Sequence, residues 1–310
     1  MAIQSALFSK VLRDRSLEEA VDLTAEIGYD GFEPMCRAPH LAVDRSTDEV
    51  ADLRERLDDH DLDVPCLATY TGAYVGTSRS ECEAQVEALE RFLEFATLLD
   101  CDFVRHNPGG PAPWKATDQD VETAATWYQR AADRAAAHGV TLLIEIHARW
   151  LSETISGTEQ LLSAIDRDNV GVIHDAGNMF LVGEAYGAES VDRLGDDLRH
   201  VHVKDEQLIA DGDNRGNGNE NENENEDGDG DGDAHGAFRL ETADGLRTYR
   251  PRRLGEGEVD HAPLFEALVA AEYDGFVTAE CSVPQDEPAD DDAIATHELE
   301  QLTTLIDNAN

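Results

Sequence analysis

The sequence predicts an α/β chain closed into a (β/α)8, or TIM, barrel. Eight short apolar runs alternate with eight amphipathic stretches, which is the strand and helix count of such a barrel. No GxGxxG follows the first run, where an open doubly wound sheet would keep it. Its length, 310 residues, suits one barrel with an insertion. One domain is therefore expected over 1–310, interrupted by a low-complexity acidic insertion at 211–235.

Strands are expected at Ile3–Phe8, Gly31–Pro34, Val64–Thr69, Phe103–Asn107, Thr141–His147, Val170–Asp175, His200–Lys204 and Gly275–Glu280. The helices between and after them fall at Ser16–Ile27, Thr47–His60, Ser80–Leu99, Gln119–His138, Thr158–Ile165, Ser190–Leu198, Ala262–Glu272 and Asp292–Ile306. Apolar residues recur there at three or four, as in Leu17, Ala20, Val21 and again in Leu264, Leu268, Ala271. AEIGYDGFEP near residue 30 is echoed by AAEYDGFVTAE near 276, and Gly31 and Gly275 are expected to serve tight helix-to-strand turns. The tract DGDNRGNGNENENENEDGDGDGDAH has nothing apolar to bury beyond one alanine, which predicts disorder between the seventh and eighth strands. Its DGDGDG opens like an EF-hand loop, but the twelfth position from Asp227 is Phe238, where a bidentate glutamate is required.

Acidic residues number 67 against 24 basic ones, a formal charge of −43. A nucleic-acid partner would need the opposite balance. Dense carboxylate suits very high salt, where the screening length is roughly 3 Å at 1 M. Lysine is confined to Lys10, Lys115 and Lys204, and a salt-accumulating, halophilic cytoplasm is expected. Refolding yield should accordingly collapse in dilute buffer, and full stability there would remove the expectation. Five scattered cysteines (Cys36, Cys66, Cys82, Cys101, Cys281) without CxxC spacing argue against disulfides or a cysteine-zinc site. No apolar leader or long apolar run is present, so a soluble cytoplasmic protein without membrane partners is expected.

Glu145, Asp175, His202 and Glu280 each stand at the trailing end of a strand-like run. Strand C-termini converge on one face of a barrel, so three carboxylates and an imidazole meet there. Alternation puts His147 on Glu145's side, His200 and Lys204 on that of His202, and Thr278 on that of Glu280. Carboxylates turned inward are costly without a partner, and this donor set suits Mn2+, Mg2+ or Co2+ better than a structural zinc without choosing among them; Mn2+ is the expected cofactor, with Mg2+, Co2+ or Zn2+ as alternatives. Glu33, ending strand two, is a pocket candidate. Arg105, His106 and Asn107 end strand four beside a Pro-Gly-Gly turn, and of these His106 is assigned to substrate, with Val104 facing away. Trp114 and Trp150 sit near loop tops, where packing is their commoner use. Lys204 gains weight from the scarcity of lysine.

IEIH, HDAGN, HVHVKD, RRLGEGEVD and YDGFVTAE, in that order, resemble the xylose-isomerase-like barrel superfamily, more closely its sugar and sugar-phosphate isomerase/epimerase branch. The similarity covers nearly all of the chain outside the acidic insertion. It implies one divalent metal held by Glu145, Asp175, His202 and Glu280, a small sugar or polyol substrate, and a homo-oligomer. It also implies Arg252 or Arg253 near the substrate, with Lys204 and Asp205 filling the family's Lys-Asp pair. Glu145 and Glu280 would then move a proton on opposite faces of a metal-stabilised enediolate, giving isomerisation or epimerisation. Two positions depart from the ketose 3-epimerase pattern: Leu151 replaces a second glutamate, and Asn178 replaces a histidine that handles substrate. His147 recurs in inosose-dehydratase-like branches, where it would protonate a leaving hydroxyl, so a lyase acting on a cyclic polyol ketone is the alternative. An abasic-site endonuclease would need three metals and more histidines; a non-catalytic sugar-binding barrel would need no metal.

Overall fold

The structure, a computed structural model, describes residues 3–211, 236–280 and 290–309. The acidic tract from residue 212 onward and Cys281 lie outside the described residues. Eight parallel strands form the main sheet: β1 (Gln4–Phe8), β2 (Gly31–Glu33), β3 (Leu67–Gly72), β4 (Phe103–Asn107), β5 (Thr141–Glu145), β6 (Val170–Asp175), β7 (Leu198–Val203) and β11 (Phe276–Ala279). Strands β8 (Asp205–Asp211), β9 (Phe238–Thr242) and β10 (Gly245–Arg252) make a separate antiparallel sheet. The helices are α1 (Leu17–Ile27), α2 (Thr47–Asp59), α3 (Arg79–Leu98), α4 (Asp118–Ala137), α5 (Ile155–Ile165), α6 (Ala176–Val182), α7 (Ala188–Leu194), α8 (Ala262–Ala270) and α9 (Asp291–Ala309).

Neighbours in the main sheet run β2-β1-β11-β7-β6-β5-β4-β3. Single parallel bridges, Gly31 to Asp63 and Met35 to Ala68, join β2 to the β3 side and close the barrel. The third strand begins later than the expected Val64 because Pro65 offers no N–H to the ladder. All eight predicted helices are present. Helices α1 to α4 start at Ser16, Ser46, Ser78 and Thr117, each closing a reciprocal capping box with the acidic residue three positions on.

The repeated Tyr-Asp-Gly-Phe does not act as expected. Helix α1 is ended instead by Gly28 at φ 103°, a left-handed cap. A Cβ on Gly31 would lie 2.8 Å from the Phe276 ring, and one on Gly275 would lie 2.6 Å from the Tyr273 hydroxyl. These glycines admit aromatic rings at the seam where β1 joins β2 and β11.

The apolar faces of the strands and helices pack between sheet and helix layer, with Val104, Tyr128, Leu142 and Ile144 all fully buried. Inside the barrel Cys66, Leu143 and Ile173 form the lower plug. Above it the inward positions turn polar, which is where the site begins. Behind the sheet, His106 lies between Thr71 Oγ1 (2.8 Å) and Tyr74 Oη (2.6 Å), and His174 reaches Ser190 Oγ at 2.9 Å. Burial lowers the two imidazoles to about 3 and about 4. Both are neutral when folded but bind protons when unfolded near the ordinary value of about 6.5. Their contribution is therefore complete above that value and is lost as pH falls below it. Between pH 6.5 and 5 the two together should cost about 3 kcal/mol of stability. Thermal unfolding of the wild type and His106→Gln in high salt across that interval measures the His106 share as the difference between the two profiles, because Asp175 and Glu206, raised by burial, slope the other way; parallel profiles would contradict it.

The small sheet and helix α6 were not anticipated. Ala243-Asp244 form a two-residue hairpin turn, with Gly245 at φ 124° pairing back to Thr242. Phe238, Leu240 and Tyr249 pack on Leu181 of α6 and on Ala148, and the Tyr249 hydroxyl donates to Leu181 O at 2.7 Å. The sheet thereby walls one side of the barrel mouth. Among the described residues no helix is long and apolar enough to cross a membrane.

Candidate metal centre

Glu145, Asp175, His202 and Glu280 come from β5, β6, β7 and the end of β11. Their donor atoms all lie within 4.8 Å of one another, and all four side chains are buried. Each is fixed by its strand and by a second contact. Glu145 Oε2 accepts from Arg105 Nη1 at 2.9 Å. Asp175 Oδ1 accepts the Asn178 amide N–H at 2.8 Å, capping α6, and this leaves Oδ2 turned to the centre. Glu280 Oε2 lies 3.3 Å from His202 Nδ1.

His202 carries the test of whether an ion fits. Its Nε2 faces Glu33, 3.1 Å from Oε1, whereas its Nδ1 is buried without a hydrogen-bond partner and points at Glu145 and Glu280. That arrangement places Nε2–H on the Glu33 carboxylate and aims Nδ1 at the carboxylate cluster, the orientation of a metal-ligating histidine backed by an acid. His200 donates to the same Glu33 carboxylate at 2.9 Å and meets Thr278 Oγ1 at 3.1 Å. Burial opposes charge on Glu33, yet the imidazoles of His202 and His200 hold it well below the usual carboxylate range. The residues therefore fit a divalent cation.

Electrostatics agree. Burial would lower the His202 imidazole, but Glu33, Glu145 and Glu280 drive it well above its ordinary value. Burial raises Asp175 to about 7 despite Lys204, with Glu280 and Glu145 adding repulsion. Burial raises Glu145 too, but Arg105 brings it down to about 2. Three carboxylates in so small a buried space demand positive charge.

Strand alternation put the other inward groups where expected, with one exception. His147 follows β5, stacks on Trp150 with centroids 4.0 Å apart, and donates Nδ1–H to Ala148 O at 2.8 Å. Asn178 Nδ2 donates to Asp175 Oδ2 at 3.0 Å. His106 is the exception: residues 104 and 106 share a face, so His106 joins Val104 behind the sheet and Arg105 takes the inward place. Arg105 is sequestered there, with Tyr70 5.2 Å and Phe8 5.7 Å from its guanidinium carbon. Arg252 donates to Gln207 Oε1 at 2.7 Å within the small sheet, and Arg253 sits just past β10; the structure does not bring either into the four-residue cluster. Asp205 accepts from the N–H groups of Glu206, Gly255, Gly257 and Val259, tying the LGEGE turn to the barrel. A Cβ on Gly257 would lie 2.1 Å from Asp205 Oδ1, which accounts for that glycine. Glu206 went unnoticed in the sequence. It shares Lys204's parity, and burial raises its carboxyl to about 8 against the pull of Lys204.

A family model described as xylose isomerase-like TIM barrel matches residues 21–305. The chain belongs to that family. Its curated relatives include an inosose dehydratase of Lacticaseibacillus casei, 27% identical over 165 residues, covering 53% of this chain and 48% of that protein. The inosose dehydratase of Geobacillus kaustophilus is 22% identical over 241 residues, 74% of this chain and 70% of that one. The first alignment thus spans about half the length of the relative. Among solved structures, an IOLI protein with a bound zinc atom superposes with a TM-score of 0.76 at 16% identity, covering 99% of both chains. An L-ribulose 3-epimerase gives 0.72 at 20% identity, over 100% of this chain and 96% of that one. At these identities the structural likeness speaks for the fold. The curated relatives named here are enzymes, dehydratases of inosose.

Proposed function

We propose that this chain is a divalent-metal-dependent enzyme that moves a proton beside the carbonyl of a small sugar or polyol, with isomerisation or epimerisation as the outcome. The observation that carries the reading is the buried cluster of Glu145, Asp175, His202 and Glu280 within 4.8 Å. A bound divalent ion, Mn2+ before Mg2+, Co2+ or Zn2+, supplies Lewis-acid polarisation of the carbonyl. Glu145 and Glu280 stand on separate strands either side of His202 and carry the proton between the two faces of the substrate carbon. His147 presents the ring edge opposite its Ala148 bond. Asn178 and Lys204 orient substrate oxygens, and Arg105 holds Glu145 in place.

A second reading, elimination of water from a cyclic polyol ketone, is favoured by the inosose dehydratases among the relatives and by His147 beside Glu145. The two share proton abstraction and differ in whether a hydroxyl departs. Incubation with ketoses and inososes in heavy water, at high salt with Mn2+, tests both. Deuterium should enter beside the carbonyl and stop on addition of chelator. Epimerised or dehydrated product tells the two apart, and absence of exchange from every candidate would sink the reading.

A further inference from the structure

Lys204 reaches into the carboxylate cluster and takes the oxygens an ion would use. Its ammonium lies 2.9 Å from Asp175 Oδ2 and 3.2 Å from Glu280 Oε2. Asp175 Oδ1 caps α6, while Oδ2 faces His202 and Glu280 across the cluster and already accepts from both Lys204 Nζ and Asn178 Nδ2. A carboxylate oxygen has about two lone-pair sites. Coordination of a cation at Oδ2 therefore removes one of these donors. Asn178 is held by the turn of α6, whereas Lys204 stands on a flexible four-carbon stem and carries like charge to the ion. The lysine has a fitted seat: a Cβ on Gly177 would lie 2.4 Å from Lys204 Cγ and 2.9 Å from Lys204 O. The glycine of HDAGN thus makes room for this stem.

We propose that Lys204 is a positioning residue displaced by the metal: it holds Asp175 and Glu280 together until a divalent ion binds, then swings its ammonium off Oδ2 toward the substrate side of the pocket. The proposal rests on the metal reading above. Coupling of this kind is reciprocal, so removing the ammonium must tighten metal binding by the amount that metal loosens the lysine.

The chain's three lysines make this readable site by site. The full chain, stripped with chelator, is acetylated at amines in limiting reagent with and without Mn2+, and each lysine is quantified by mass spectrometry. Lys115, paired with Glu241 on the surface, is the reference. Lys204 labelling should rise several-fold with Mn2+ while Lys115 stays constant, and Lys204→Met should bind Mn2+ at least about fivefold more tightly by calorimetry. Lys204→Gln serves if the methionine variant fails to fold, and the labelling needs no variant. Mn2+ binding to the wild type with unchanged or reduced Lys204 labelling overturns the proposal alone, as does equal or weaker affinity in the variant. A wild type that binds no Mn2+ overturns the metal reading and this proposal with it.

Discussion

Replacing Arg105 with methionine should lower stability by about 3–5 kcal/mol, because it strands a buried carboxylate rather than merely deleting a contact. The Arg105 and Glu145 side chains are 5% and 1% exposed, so solvent cannot stand in for the lost partner. Methionine keeps much of the stem volume against Phe8 and Tyr70, so most of the loss is electrostatic. The pair can be separated from packing by the double variant Arg105→Met/Glu145→Leu. Exchanging both charged groups for apolar ones should recover much of the deficit seen with one removed. Thermal or denaturant unfolding of the chelator-treated proteins is the measurement. Equal losses in the single and double variants would mean that Arg105 acts through shape alone.

That Arg105 was passed over in favour of His106 shows where the sequence misled. Period-two alternation was sound, since it placed Glu145, Asp175, His202 and Glu280 on one side, with His147, His200 and Lys204 beside them. It was misapplied on β4, where Val104 and His106 occupy the same face. An inward arginine was also less expected than an inward histidine, although Glu145 requires a cation. The eight barrel strands and eight helices were legible because apolar spacing reports the faces that pack. Helix α6 was hidden by its seven residues and by Asp175, which caps it while also facing the centre. The small sheet was masked by the acidic tract before it, although Phe238-Arg239-Leu240-Glu241-Thr242 alternates and Asp244-Gly245 marks a turn. Glycines 177 and 257 could not be read at all. Their purpose lies in contacts with Lys204 and Asp205, far away in the sequence, and no local pattern records such an approach.

The two carboxylates proposed to move the proton are not equivalent, and this sets the largest expected loss of activity. Glu145 is engaged at both oxygens, Oε2 by Arg105 at 2.9 Å and Oε1 by Asn178 Nδ2 at 3.4 Å. Glu280 meets Lys204 and His202 through Oε2, and among the described residues its Oε1 has no hydrogen-bond partner. Burial raises the Glu280 carboxyl, but Lys204 and His202 outweigh it and keep the group ionised. An ionised carboxylate with one oxygen held and the other open can keep a ligand bond and still reach a substrate hydrogen. Glu280→Gln should therefore reduce deuterium incorporation by roughly 10²–10⁴-fold while retaining Mn2+. Glu145→Gln should weaken Mn2+ retention and stability more, since it leaves Arg105 buried beside a neutral amide. Exchange rates measured at saturating Mn2+, with bound metal quantified in the same samples, distinguish these outcomes. If Glu280→Gln exchanges deuterium as fast as the wild type, the proton passes through another group, and Glu145 or His147 would have to take its place.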